Sequence, residues 1–304
     1  MTRAALQSAH AMDAERERMT ALGIRAVKPI TRRARVAALR AYRRGDDPAV
    51  AMRAEIMRAV PMVTDAMVAS HLAGMLRSQI TARRAMGDRI ALADPYRSAI
   101  EFTKRRMDLT DADLAGIQTR YGEEAQRVIG DLSGYASGKV DAAVLEAVKS
   151  GEHVRGGVAR IREAMDAAGI GGDAGVPDYA IETVYRTQVQ MGYSAGRWES
   201  NQAPEIQEVL WGFEYSARDD DRTRPTHAAL DGFTAPKDDP AWKTITPPNG
   251  YSCRCSVVEI FHGDTEAVRF GSLAPVEIDG VMVKPGADVG FEFNPGEVFA
   301  GVGA

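Results

Sequence analysis

Cysteine is almost missing from this sequence: two residues in 304. A disulfide framework is therefore excluded, and a reducing compartment is the better expectation. Aromatic residues are also sparse, at 7% with three tryptophans. No stretch approaches the roughly 20 apolar residues that a membrane span needs, so no membrane partner is expected. The opening "MTRAALQSAHAMDAERER" lacks the apolar region of a secretory leader. No G-x-x-x-x-G-K-[ST], G-x-S-x-G or H-E-x-x-H occurs anywhere in the chain. With those motifs go the simplest routes to catalysis, and no enzymatic activity is expected.

Charge is present but unevenly spread. The net charge is −4, yet residues 1–110 hold 21 Lys/Arg against 11 Asp/Glu. Everything after them is correspondingly acidic. A basic half of this kind either meets an anionic partner, with nucleic acid the obvious one, or simply presents arginine-rich solvated helix faces. The run "TRRARVAALRAYRRG" carries Arg32, Arg33, Arg35, Arg40, Arg43 and Arg44. On a helix these form a positively charged rod suited to phosphates rather than to reading bases. Double-stranded DNA, bound without sequence preference, is the partner it fits.

The expected fold class is α+β. A mainly helical N-terminal region precedes a compact domain of helices and a small antiparallel sheet. The expected divisions are a basic helical arm over 1–110, a domain over 111–262 and a Gly/Pro-rich extension over 263–304. In the arm, Gly23 and Pro29 are expected to punctuate the first helix, and Pro61 to kink or split a later one. "DPYRSAIEFTKRRMD" reads as a basic linker or short helix, and Thr110 as an N-cap with acids in the first turn after it. Helices are expected near 139–149, 153–168 and 178–199, with glycine breaks between them and a loop at "GIGGDAGVP". The period-two aromatics Trp211, Phe213 and Tyr215 predict a strand over 207–216, close to a second over 253–261. A short helix is expected from Pro225 to Gly232, and a hairpin around Asp279-Gly280.

Both cysteines stand together in "PPNGYSCRC" at 247–255. If they lie on a strand, Cys253 and Cys255 face one way and Arg254 the other. Pro247 and Pro248 stiffen the approach, and Asn249-Gly250 supply a turn expected to need positive φ. Three readings stand open. A bridge within Cys-x-Cys is strained, because extended i,i+2 Cα atoms lie near the limit for bridging. A zinc site would take His227 as third ligand and His262, or one of Asp219, Asp220 and Asp221, as fourth. Alternatively, two small buried thiols simply pack beside the strand that carries Trp211. The acidic run with His227, Cys253 and Cys255 also allows a metal-dependent nuclease or toxin-like effector as the alternative function.

Taken in order, "YRTQVQMGYSAGRW", "LWGFEY", "DDDRTRPTHAALDG", a tryptophan and "PPNGYSCRC" resemble the phage Mu F-like family of minor head (head morphogenesis) proteins. The resemblance rests on Asp220, Arg222, Thr223, Leu230, Asp231, Gly232, Pro247, Pro248, Cys253, Arg254 and Cys255, with "GFEFNPG" at 290–296 similar to the family's closing element. Relatives carry a Cys-x-x-Cys ahead of Leu-Asp-Gly where this chain has Arg224 and His227, so a four-cysteine metal set is not available. The resemblance implies a structural role in head assembly. The implied place is the virion, in the head or near the portal, after assembly in the bacterial host cytoplasm. The implied partners are the portal protein and other head proteins.

Overall fold

In the computed structural model, residues 3–85, 110–150, 154–171, 179–262 and 272–300 are described. The linker expected near 94–108 and most of the loop at 172–178 lie outside them. The fold class is α+β, as expected: long helices lead, and small antiparallel sheets follow.

Helix α1 runs over Arg3–Arg44. The expected punctuation at Gly23 and Pro29 does not occur, and Pro29 lies inside the helix. Gly23 is there for space: a Cβ would fall 1.7 Å from the Tyr185 ring. Gly45, at φ 78, ends the helix, with Asp46 N–H donating to the Ala41 carbonyl at 2.9 Å. Helix α2 (Pro48–Ile56) opens on Asp47, which accepts from the N–H groups of Ala49 and Val50. A 3₁₀ turn over Met57–Ala59 separates it from α3 (Val60–Ala85), so Pro61 does mark a split, in the first turn of the new helix. Contrary to expectation, the run Pro48–Ala82 holds an 18-residue window of mean hydropathy 1.3, apolar enough by length and composition to cross a membrane. Some 56% of that window is buried within the protein, as in a core helix.

Helix α4 (Asp111–Lys149) starts at the expected cap. Asp113 N–H donates to Thr110 Oγ1, and Thr110 N–H returns a bond to Asp113 at 2.7 Å. It then runs for 39 residues, so the segment expected at 139–149 is its last part and the glycines do not break it. Helices α5 (Val154–Ala167), α6 (Tyr179–Asn201) and α7 (Pro204–Val209) follow.

Strand β1 (Leu210–Ser216) is central to a three-stranded antiparallel sheet, ordered β2 (Thr234–Pro236), β1, β3 (Ser256–Phe261). The expected neighbourhood of the two strands is therefore direct pairing, with Tyr215 opposite Val257 and Phe213 opposite Glu259. Gly212 and Glu214 are buried alongside Phe213 and Tyr215, so β1 is covered on both faces. Short helices α8 (Pro225–Ala228) and α9 (Trp242–Ile245) fill the connections. The hairpin β4 (Val276–Ile278) and β5 (Val281–Val283) turns at Asp279 and Gly280, both at positive φ, as expected. Helix α10 (Pro295–Ala300) closes the described chain.

Contacts group the chain into two compact units, 1–19 with 67–117 and 186–304, and 20–66 with 118–185. Each is assembled from separated stretches of the chain. In the second unit Arg35 is buried and donates to Asp166 and to the carbonyls of Ile170 and Gly171. In the first unit, Phe213 stacks on Trp198 and meets Trp242 edge-on, with Leu230, Phe233, Cys253 and Cys255 in the same cluster. The "GFEFNPG" element fastens here, since Asn294 Nδ2 donates to the Trp242 carbonyl and a Cβ on Gly296 would strike Trp198.

Candidate metal centre

The strand β1 leaves the sheet at Ser216 and is tied straight back to the turn after α8. Gly232 N–H donates to the Tyr215 carbonyl, Tyr215 N–H to the Phe233 carbonyl and Ala217 N–H to Asp231 Oδ1. Gly232 sits at φ 74, where only glycine is unstrained. Leu230 is fully buried. The Leu-Asp-Gly motif is therefore a clasp that fixes α8, and with it His227, against the end of β1.

The second half of the corner arrives through Pro247 and Pro248, joined by a cis peptide bond. The positive φ expected at Asn249-Gly250 falls instead on Ser252, at 55°. Gly250 serves another need: a Cβ there would lie 2.2 Å from Asp288 Oδ2. The cysteines are not on a strand, as β3 begins one residue after Cys255. Their extended backbone still turns both sulfurs one way. Cys253 Sγ lies 3.8 Å, and Cys255 Sγ 4.0 Å, from His227 Nδ1. Both are free thiols, and all three side chains are buried.

The imidazole is held in one tautomer. Its Nε2 is 3.1 Å from the Asn249 carbonyl and 3.5 Å from Asp288 Oδ1, so that nitrogen carries the proton. Nδ1 is left with a lone pair aimed at the sulfurs. Asp288 is itself oriented by Arg224, at 3.0 Å. The two thiols are made unequal. A hydrogen bond from Cys255, together with N–H groups of Asn249 and Cys255, pulls the Cys253 thiol down to about 7 despite its burial. Cys255, which gives that bond and is buried, is pushed well up. The Tyr215 hydroxyl lies near enough to Cys255 to interact with it. Burial first, then charge on Cys255 and Cys253, pushes it well above the ordinary phenol range.

The Cys-Arg-Cys backbone is gripped from distant parts of the chain. The guanidinium of Arg16 on α1 donates to the carbonyls of Cys255 at 3.2 Å and Arg254 at 3.1 Å, and to Gln190. Gln190 Nε2 donates to the Cys255 carbonyl at 2.9 Å. Arg254 points away from the thiols and clamps Asp220 with two bonds of 2.5 Å, holding that carboxyl well below the usual carboxylate range. Asp220 also accepts from the Arg222 N–H and from Thr223 Oγ1, which explains the Asp-x-Arg-Thr motif as loop-fixing.

Among the described residues, the group whose ligand atoms lie within 4.8 Å of one another is His227, Cys253 and Cys255. Asp219, Asp220, Asp221 and His262 are not in it. His262 is exposed beyond β3, and Asp220 is committed to Arg254. Two thiols and an imidazole lone pair, with N–H groups on one sulfur and a carbonyl behind the ring, fit a thiophilic divalent metal such as zinc. Arg16, Gln190, Asp288 and the Tyr215 hydroxyl were not singled out from sequence. Arg16 and Cys255 are 239 positions apart, and no local spacing could have joined them.

Residues 138–258, which include all three candidate ligands, match the family model described as "Phage Mu protein F like protein". Over that stretch the chain is similar to the phage Mu F-like family. It is 34% identical over 117 residues to "Mu-like prophage FluMu F protein" of Haemophilus influenzae, covering 38% of this chain and 27% of that protein. It is 30% identical over 146 residues to "Putative capsid assembly protein F" of Escherichia phage Mu, covering 40% of this chain and 33% of that one. The chain thus matches about a third or less of the length of these curated relatives. No solved structure matches.

Proposed function

We propose that this chain is a minor capsid, head morphogenesis protein of a tailed phage or phage-like particle, acting structurally in head assembly near the portal. The observation that carries the reading is the Mu F-like stretch itself, whose motif residues are spent on holding one corner closed. Asp220, Arg222, Thr223 and Arg254 fix a loop, and Leu230, Asp231 and Gly232 fix α8. Those motif residues are spent on structure, and Asp220 of the acidic run invoked for a nuclease is tied to Arg254. A quantitative protein census of purified particles tests the reading. The chain should be present in a few copies per head, and particles made without it should lack packaged DNA. Its absence from finished and immature heads alike would overturn the proposal.

Zinc at His227, Cys253 and Cys255 belongs to the same reading as a fastener of the corner. Metal analysis of the full chain should find one zinc, and His227→Ala should weaken binding by tenfold or more. Thiol counting in denaturant should return two free thiols after chelation. A bridge between Cys253 and Cys255 in protein prepared under reducing conditions would exclude the centre.

Contact with packaged DNA is the finer part of the proposal. Arg32, Arg33, Arg40, Arg43 and Arg44 are exposed on α1, whereas Arg35 is buried on Asp166 and is withdrawn from the set. Arg33 lies 3.3 Å from Glu55 and Arg44 2.8 Å from Asp46, so Arg40 and Arg43 are the centre of the candidate face. The full chain should bind any duplex weakly, with affinity falling steeply in salt. Reversing Arg40, Arg43 and Arg44 to Glu should reduce the slope of log K against log salt by about 2 to 3. No duplex binding by the full chain at low salt would remove DNA from the list of partners.

A further inference from the structure

Three donors do not complete a tetrahedral centre, and the residues nearest in sequence do not supply a fourth. A buried hydroxyl in the corner is nonetheless unaccounted for. Tyr215 is fully buried on β1 in the same cluster as Cys253 and Cys255, and its hydroxyl lies near enough to Cys255 to interact with it, yet that oxygen makes no hydrogen bond of ordinary geometry. A buried hydroxyl in that state is unusual and calls for an occupant it would satisfy. We propose that Tyr215 supplies the fourth donor of a zinc-type site whose other ligands are His227 Nδ1 and the Cys253 and Cys255 sulfurs. The inference rests on the metal reading given above and adds to it a ligand type that the motif does not contain.

The fold positions the group rigidly. Tyr215 N–H donates to the Phe233 carbonyl, its carbonyl accepts from Gly232, and its strand partner is Val257, two residues after Cys255. The ring can therefore shift little, and the oxygen is held beside the thiols by the same clasp that sets α8. Charge also favours the assignment. Two thiolates and a phenolate around a divalent ion leave one net negative charge. The Arg16 guanidinium, bonded to the Cys255 and Arg254 carbonyls and acting on Cys253, lies close by to offset it. Another orphan of the corner is the Asn249 side chain, buried with both amide atoms unbonded. A neutral amide oxygen is a hard, weak donor and suits a thiolate-bound ion less well than a phenolate.

Cobalt(II) titration of the full chain separates the possibilities. The wild-type protein should take up one ion per chain, with thiolate-to-cobalt charge transfer and a tyrosinate difference band in the near ultraviolet. Tyr215→Phe keeps the ring and its packing, and circular dichroism reports whether it folds. It should keep the charge-transfer band, lose the tyrosinate band and bind about tenfold more weakly. A cobalt spectrum and affinity unchanged in Tyr215→Phe would overturn the tyrosine assignment and leave the three-ligand centre standing. A wild-type complex with charge transfer but no tyrosinate band would do the same without recourse to a variant. No charge-transfer band in the wild type would remove the metal reading itself, and this inference with it.

Discussion

Glu259→Gln should cost about 3–5 kcal/mol of folding stability, the largest single loss expected from a near-isosteric change in this chain. Glu259 and Arg197 are 5% and 4% exposed. The pair is fully engaged: Arg197 Nε and Asn201 Nδ2 each donate to Glu259 Oε1 at 3.1 Å, the second Arg197 nitrogen donates to Oε2, and the third to the Val257 carbonyl at 2.5 Å. Such a pair adds little net stability by existing, because both charges were stripped of water to form it. Neutralising one partner is different, since the other charge remains buried without compensation. A double change, Arg197→Met with Glu259→Leu, should therefore recover most of what either single change loses. Urea unfolding of the full chain followed by circular dichroism measures all three. A loss below about 1 kcal/mol for Glu259→Gln would mean that water reaches this pair and that the helix does not seat on the sheet as described.

The second large effect comes from adding a single methyl group. Helices α3 and α6 approach with backbone against backbone. A Cβ would lie 1.9 Å from the His71 carbonyl oxygen at Gly196, 2.5 Å from that of Met67 at Gly192 and 2.1 Å from that of Tyr193 at Gly74. Carbonyl groups inside helices cannot give way as a long side chain can, so the helices must part. Alanine is intrinsically better than glycine in a helix by about 1 kcal/mol, and overpacking a tight contact costs about 1–3 kcal/mol, occasionally more. With nothing soft at the contact the upper end applies, and Gly196→Ala should lower stability by about 2 kcal/mol net. Gly134 on α4 is the control, because nothing lies within 4 Å of its Cβ position. Gly134→Ala should stabilise by about 1 kcal/mol. Thermal unfolding of the two variants should move in opposite directions, and a shift of the same sign in both would refute the account of the α3–α6 contact.

These glycines show where the sequence could be read and where it could not. Thr110, Pro61 and Asp279-Gly280 were legible because their effects are local: a cap, a first-turn proline and a two-residue turn act on immediate neighbours. Gly23, Pro29 and the glycines of α4 were misleading for the opposite reason. Helix-breaking costs of roughly 1–3 kcal/mol per residue are overridden when a long apolar stripe is buried, as at Val27, Ile30, Ala34, Ala38 and Ala41 of α1. The same division holds for the candidate site. His227, Cys253 and Cys255 stood out through composition and motif order, and the structure brings them together. Asp288 and Arg16 reach the corner only through tertiary packing, and Arg35, one arginine among six in its run, is set apart only by Asp166, 131 positions away.

The grip of Arg16 on the Cys255 carbonyl also sets an order in time. The two residues are separated by 239 positions. At synthesis rates of about 5–20 residues per second, Arg16 is incorporated some 12–48 seconds before its acceptor exists. Until then the first turns of α1 have no corner to hold, and the thiols, the imidazole and the guanidinium that will share it are on different parts of an unfinished chain. The corner closes only on polypeptides translated past the Cys-Arg-Cys segment. An assembling particle that recognised this corner would recruit subunits translated past that segment and pass over shorter ones.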